Sequence, residues 1–152
     1  MILELDHGKL DIDTEKTKQF YKTAEEITAG CSCDGCRNYM MAVNRFPQPA
    51  KDFFNALGVD LRKAAEIIAW CSEDDGNAIF YGGFYHICGT MLGDADCWKD
   101  HGGMKLYSLA DDYEVGFTND ICLLEKNFPA PVLQMEIFFH NVPWLLDQKN
   151  NY

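Results

Sequence analysis

Residues 66–92 decide the fold, and they read EIIAWC (66–71), SEDDGN (72–77) and AIFYGGFYHICGTML (78–92). The first and last segments are rich in the β-branched and aromatic residues that favour strands, and the segment between them is polar and turn-forming. The stretch therefore predicts a β-hairpin. Both faces of its second arm are largely apolar, because successive side chains of a strand point to opposite sides. Such a strand belongs near the centre of a sheet with helices over at least one face.

Three segments after this hairpin predict further strands. They are residues 105–109, 114–118 and 132–139, where apolar residues recur at a strand-like spacing. Within the second arm of the hairpin, Gly82 and Gly83 predict a bulge or a close approach of another backbone.

The first half of the chain predicts three helices. Asp13 or Thr14 is the candidate N-cap of a helix that ends at Gly30, a second short helix begins at Cys36, and a third spans residues 50–57. Helices that come first and strands that come later are typical of α+β proteins. We therefore expect a single α+β domain over residues 1–152, with N-terminal helices packed on a mostly antiparallel sheet of about five strands.

The composition excludes several classes of partner. A chain of 152 residues with 47% hydrophobic residues can bury a core of its own. The chain has 13 Lys and Arg residues and 24 Asp and Glu residues, which gives a net charge of −11. A surface of that sign repels phosphate backbones and anionic lipids. We expect no nucleic-acid and no membrane partner, whereas a basic protein partner fits the charge.

The N-terminal residues and the cysteine count predict a cytoplasmic protein. Residues 1–6 lack the basic flank and the long apolar run of a signal peptide, and no stretch approaches the roughly 20 apolar residues that span a bilayer. Seven cysteines are an odd number, so at least one of them has no partner for an intramolecular disulfide. A reducing compartment would keep these residues as thiols.

Cys31, Cys33 and Cys36 form a cysteine-rich loop that packing alone does not require. In one interpretation the three thiols are reduced, partly buried and chemically inert, since free cysteine is among the most buried residue types. A second is a structural zinc site that the three cysteines complete with one distant ligand. His86 is the favoured fourth ligand, because it shares a strand face with a cysteine. The remaining candidates for that position are Cys71, Cys88, Cys97, His101 and Cys122.

Two catalytic interpretations compete with the zinc site. Cys33 and Cys36 form a C-x-x-C pair at a predicted helix start, where the helix dipole lowers a thiol pKa and favours thiol–disulfide exchange. A cysteine–histidine hydrolase would require His86 or His140 to lie beside a cysteine. No phosphate-binding loop or serine nucleophile motif is present.

Several motifs resemble a group of small bacterial proteins of unassigned function, and the resemblance covers most of the chain. The motifs are Cys33-Asp34-Gly35-Cys36-Arg37-Asn38-Tyr39, Leu57-Gly58-Val59-Asp60, Tyr81-Gly82-Gly83-Phe84-Tyr85-His86 and Pro143-Trp144. The resemblance implies a bacterial single-domain protein. It implies no particular activity or cofactor.

Together these observations favour a non-catalytic acidic binding domain over an enzyme. Its cysteine-rich loop is structural and a candidate zinc site formed by Cys31, Cys33, Cys36 and His86, and no residue is assigned to catalysis. The first alternative is a thiol–disulfide oxidoreductase that uses Cys33 and Cys36. The second is an immunity-type antagonist of a basic partner, for which the charge of −11 would speed encounter.

Overall fold

The computed structural model describes residues 1–152 as nine strands and four α-helices. In chain order the elements are β1 Ile2–Leu5, β2 Gly8–Ile12, α1 Thr14–Thr23, α2 Ile27–Gly30, α3 Asp34–Ala42, α4 Gln48–Leu57, β3 Glu66–Glu73, β4 Ala78–Leu92, β5 Lys99–Asp100, β6 Gly103–Met104, β7 Leu106–Ala110, β8 Tyr113–Thr118 and β9 Val132–Pro143. The α+β class is confirmed, and the predicted hairpin is β3–β4.

The long strand β4 is the centre of a seven-stranded antiparallel sheet. One of its edges pairs with β9 from Ala78 to Cys88. Its other edge is shared, because β3 pairs with residues 78–84 and β2 pairs with residues 89–92. The sheet continues through β1 beyond β2, and through β8 and β7 beyond β9. The small hairpin β5–β6 forms a separate two-stranded sheet.

The strand count and the placement of the helices differ from the prediction. The main sheet has seven strands rather than about five, and the chain begins with the β1–β2 hairpin before any helix. Leu3, Leu5, Leu10 and Ile12 alternate with polar residues in these two short strands. That period of two was the available signal for the hairpin.

The helix boundaries follow local chemistry. Asp13 caps α1 and accepts a hydrogen bond from the Lys16 N–H at 3.0 Å, as predicted. The helix ends at Thr23 rather than at Gly30, because the backbone becomes extended at Ala24 and the Ile27 N–H then donates to Arg62 O at 3.0 Å. No helix combines the length and the apolar character that crossing a membrane requires.

Only one face of the sheet is covered by helices. On this inner face, Tyr39 and Phe54 of the helices pack edge-on against Tyr81 and Tyr85 of β4. The expectation of helices over at least one face is therefore confirmed. The opposite, outer face carries Phe80, Phe84 and Phe138 only partly buried.

Candidate functional site

The start of helix α3 brings the three cysteines of the loop together. Cys31 is the C-cap of α2, Cys33 is the N-cap of α3, and Cys36 lies in the first turn of α3. The Cys33 sulfur accepts a hydrogen bond from the Cys36 N–H at 3.4 Å. An N-cap side chain satisfies a backbone donor that the helix itself leaves free. The C-x-x-C spacing thus places one thiol at the cap and the other one turn inside it.

The three sulfur atoms lie close enough to share one ion. All of them are within 4.8 Å of one another, and the Sγ atoms of Cys31 and Cys33 are 3.2 Å apart. Sulfur ligands of a tetrahedral zinc ion are about 3.8 Å apart, since each Zn–S bond is about 2.3 Å long. Small side-chain rotations would therefore suffice to form a three-thiolate site.

The two thiols of the C-x-x-C pair differ in exposure and in acidity. Cys33 is exposed, whereas Cys36 is buried at 5% exposure. Partial burial alone would raise the pKa of the Cys33 thiol, but hydrogen bonds from the Cys36 N–H and from neighbouring side chains bring that pKa below its usual value. Burial, with the nearby sulfurs of Cys31 and Cys33, raises the pKa of the Cys36 thiol well above its usual range. Of the thiols in this pair, Cys33 is thus the one that deprotonates first.

Distant residues hold the start of α3 in place. The Gly35 N–H donates to the Tyr152 hydroxyl at 2.9 Å, and the Gly35 carbonyl accepts from the Tyr81 hydroxyl at 2.6 Å. A side chain at Gly35 would not fit, because a Cβ there would lie 2.8 Å from Ala69 Cβ. These contacts fix the backbone between Cys33 and Cys36. Neither Tyr152 nor Ala69 was predicted to lie at this site.

Three of the motifs identified in the sequence meet at Asn38, one turn further along α3. Asn38 is fully buried, and its side-chain amide donates at 3.1 Å to the Tyr81 hydroxyl and to Pro143 O. Its side-chain oxygen accepts from the Leu145 N–H at 2.6 Å. A buried amide with all these partners ties α3 to β4 and to the end of β9.

His86 does not lie with the cysteines. It is fully buried on the outer side of β4, whereas Tyr81, which contacts the start of α3, is on the inner side. The ring nitrogens of His86 pair with the Glu125 carboxylate and, at 3.4 Å, with the Gln134 side-chain oxygen. The three cysteines form a group that no other histidine, cysteine, aspartate or glutamate joins. The cluster thus offers the sulfur atoms of Cys31, Cys33 and Cys36 as candidate ligands, without His86.

The other histidine considered for catalysis is also paired with a carboxylate. His140 Nδ1 lies 2.7 Å from Glu73 Oε1, and its ring stacks on Phe80 at 3.8 Å between ring centres. Neither His86 nor His140 is hydrogen-bonded to a cysteine. The three cysteines are therefore the candidate reactive or metal-binding groups of this site. No protein-family model, curated protein or solved structure matches the chain.

Proposed function

We propose that the protein is a small binding domain that holds one soft metal ion, Zn²⁺ in particular, through Cys31, Cys33 and Cys36. The observation that carries this proposal is the convergence of three sulfur atoms within 4.8 Å at the start of α3. Thiolates are preferred ligands of zinc, and a short loop that presents three of them keeps the entropic cost of assembly low. The fourth ligand would be water or a group from a binding partner.

Charge supports metal binding at this position. The positive end of the α3 dipole and the hydrogen bonds to Cys33 both stabilise a thiolate before the ion arrives. Once bound, the ion would stabilise the thiolate of Cys36 as well. Three thiolates more than neutralise Zn²⁺, so they leave it a weak Lewis acid. This supports a structural or binding role over hydrolysis.

A second candidate function is thiol–disulfide exchange, which the unequal Cys33 and Cys36 thiols favour. The Cys33 thiolate would attack a substrate disulfide, form a mixed disulfide and release one substrate thiolate. Cys36 would then lose its proton and attack the Cys33 sulfur. This releases the second substrate thiolate and leaves a Cys33–Cys36 disulfide. The two electrons that reduce the substrate come from the protein dithiol.

Metal content and thiol titration on one native preparation separate these functions. We expect about one zinc per chain by elemental analysis, and a sulfur-to-metal charge-transfer band after replacement by Co²⁺. Zinc should be lost in Cys33→Ser and retained in Cys97→Ser, since Cys97 is an exposed cysteine outside the cluster.

Other outcomes count against the metal site. A metal-free protein whose Cys33 and Cys36 oxidise readily to one disulfide would replace it with thiol exchange. A metal-free protein whose thiols resist oxidation, and which does not take up added Zn²⁺, would contradict both functions. Zinc that stays bound to Cys33→Ser would show that the ion binds outside the three-cysteine cluster.

A further inference from the structure

The outer face of the sheet carries a row of aromatic rings that no helix covers. Trp70 is 55% exposed, and its indole lies over Gly82, where there is no side chain to displace it. The Trp70 ring is 6.4 Å from that of Phe80 and inclined by 28°. Phe80 in turn stacks on His140. The aromatic face, as we call it, consists of Trp70, Phe80, Phe84, Phe138 and His140.

Carboxylates flank these rings. The strand register places Glu66 and Glu136 on either side of Phe84, and Glu114 next to Phe138. Residues directly opposite in a sheet project from the same face, so these three glutamates belong to the aromatic face. None of the three forms an ion pair within the chain.

The four strands that carry these residues contain no lysine or arginine. All 13 Lys and Arg residues lie outside β3, β4, β8 and β9. Carboxylates without local counter-ions create a negative potential that attracts cations. Aromatic faces also attract cations, through the ring quadrupole, and do so best with Trp. The two features act on the same class of ligand.

We propose that the aromatic face docks a Lys- and Arg-rich segment of another protein. Guanidinium and ammonium groups would lie over the exposed Trp70 ring and pair with Glu114 and Glu136. The proposal goes beyond the metal site, since the aromatic face lies on the outer side of the sheet and α3 packs on the inner side. It does not depend on whether a metal is bound.

The same charges disfavour other occupants. Two copies of this chain joined through this face would bring like carboxylates together, which costs free energy. Anionic lipids and nucleic acids would be repelled for the same reason. A basic protein segment is the occupant whose charge complements the face.

The test is titration of the protein with an oligoarginine peptide, followed by amide chemical shifts and by calorimetry. We expect saturable binding that weakens with added salt, with shifts concentrated in β3, β4, β8 and β9. Glu114→Gln combined with Glu136→Gln should weaken binding roughly fivefold or more, and Trp70→Ala should do the same. Cys33→Ser should bind like the native chain, which separates this result from failure of the metal site.

A matched pair of substitutions controls for overall charge. Glu15→Gln combined with Glu25→Gln also removes two negative charges, but in α1 and in the segment that follows it, away from the strands that carry the aromatic face. We expect this pair to change binding by less than about twofold. Equal weakening by both pairs, shifts outside the aromatic face, absence of peptide binding, or self-association of the chain through this face would each overturn the proposal.

Discussion

At the scale of single residues, Gly82 and Gly83 are neighbours on β4 but tolerate a side chain very differently. A Cβ at Gly83 would clash with the Glu66 backbone oxygen, and the Gly83 φ of +138° suits only glycine. A Cβ at Gly82 would instead meet the Trp70 indole, which can move. We expect Gly83→Ala to lower the free energy of unfolding by about 2 kcal/mol or more, and Gly82→Ala by less than about 1 kcal/mol. Urea denaturation of both variants measures the difference, and equal losses would contradict this account.

At the scale of elements, helix α3 is held by the buried Asn38 side chain. Removing its amide leaves the Leu145 N–H and Pro143 O without their partner. We expect Asn38→Ala to lower the free energy of unfolding by about 2–3 kcal/mol, and to speed hydrogen exchange of the α3 amides. Asn55→Ala on the exposed side of α4 is the matched control, with an expected change within about 0.5 kcal/mol. The account fails if both variants lose the same stability.

At the scale of the whole molecule, the fold does not rest on the cysteine cluster. The core contains 28 buried hydrophobic residues, of which Cys36 is the only member of the cluster. We therefore expect a chelator to remove zinc without loss of secondary structure and to lower the unfolding temperature by a few degrees, through loss of binding free energy alone. Circular dichroism measures both effects, and a chelator should have no effect on Cys33→Ser. Unfolding on chelation would instead show a metal-dependent fold.

Sequence alone determined the features that depend on neighbouring residues. Four such features are the β3–β4 hairpin, the end of α4 at Leu57, the Asp13 cap and the close backbone approach at Gly83. Each follows from periodicity or from the chemistry of one short segment. The grouping of Cys31, Cys33 and Cys36 is local in the same sense, because only six residues contain it. The short β1–β2 hairpin had a local signal too, although its strands were not predicted.

Only the tertiary structure decided which distant residues share a site. Both faces of β4 are apolar, so sequence could not tell that α3 packs on the side of Tyr81 and that His86 is buried on the opposite side. That choice separates His86 from the cysteines and exposes Trp70 on the outer face. The contacts of Gly35 with Tyr152, and of Asn38 with Pro143, likewise join segments more than a hundred residues apart. Such contacts depend on strand order and on which face the helices bury, and these are properties of the whole packed core rather than of any one segment.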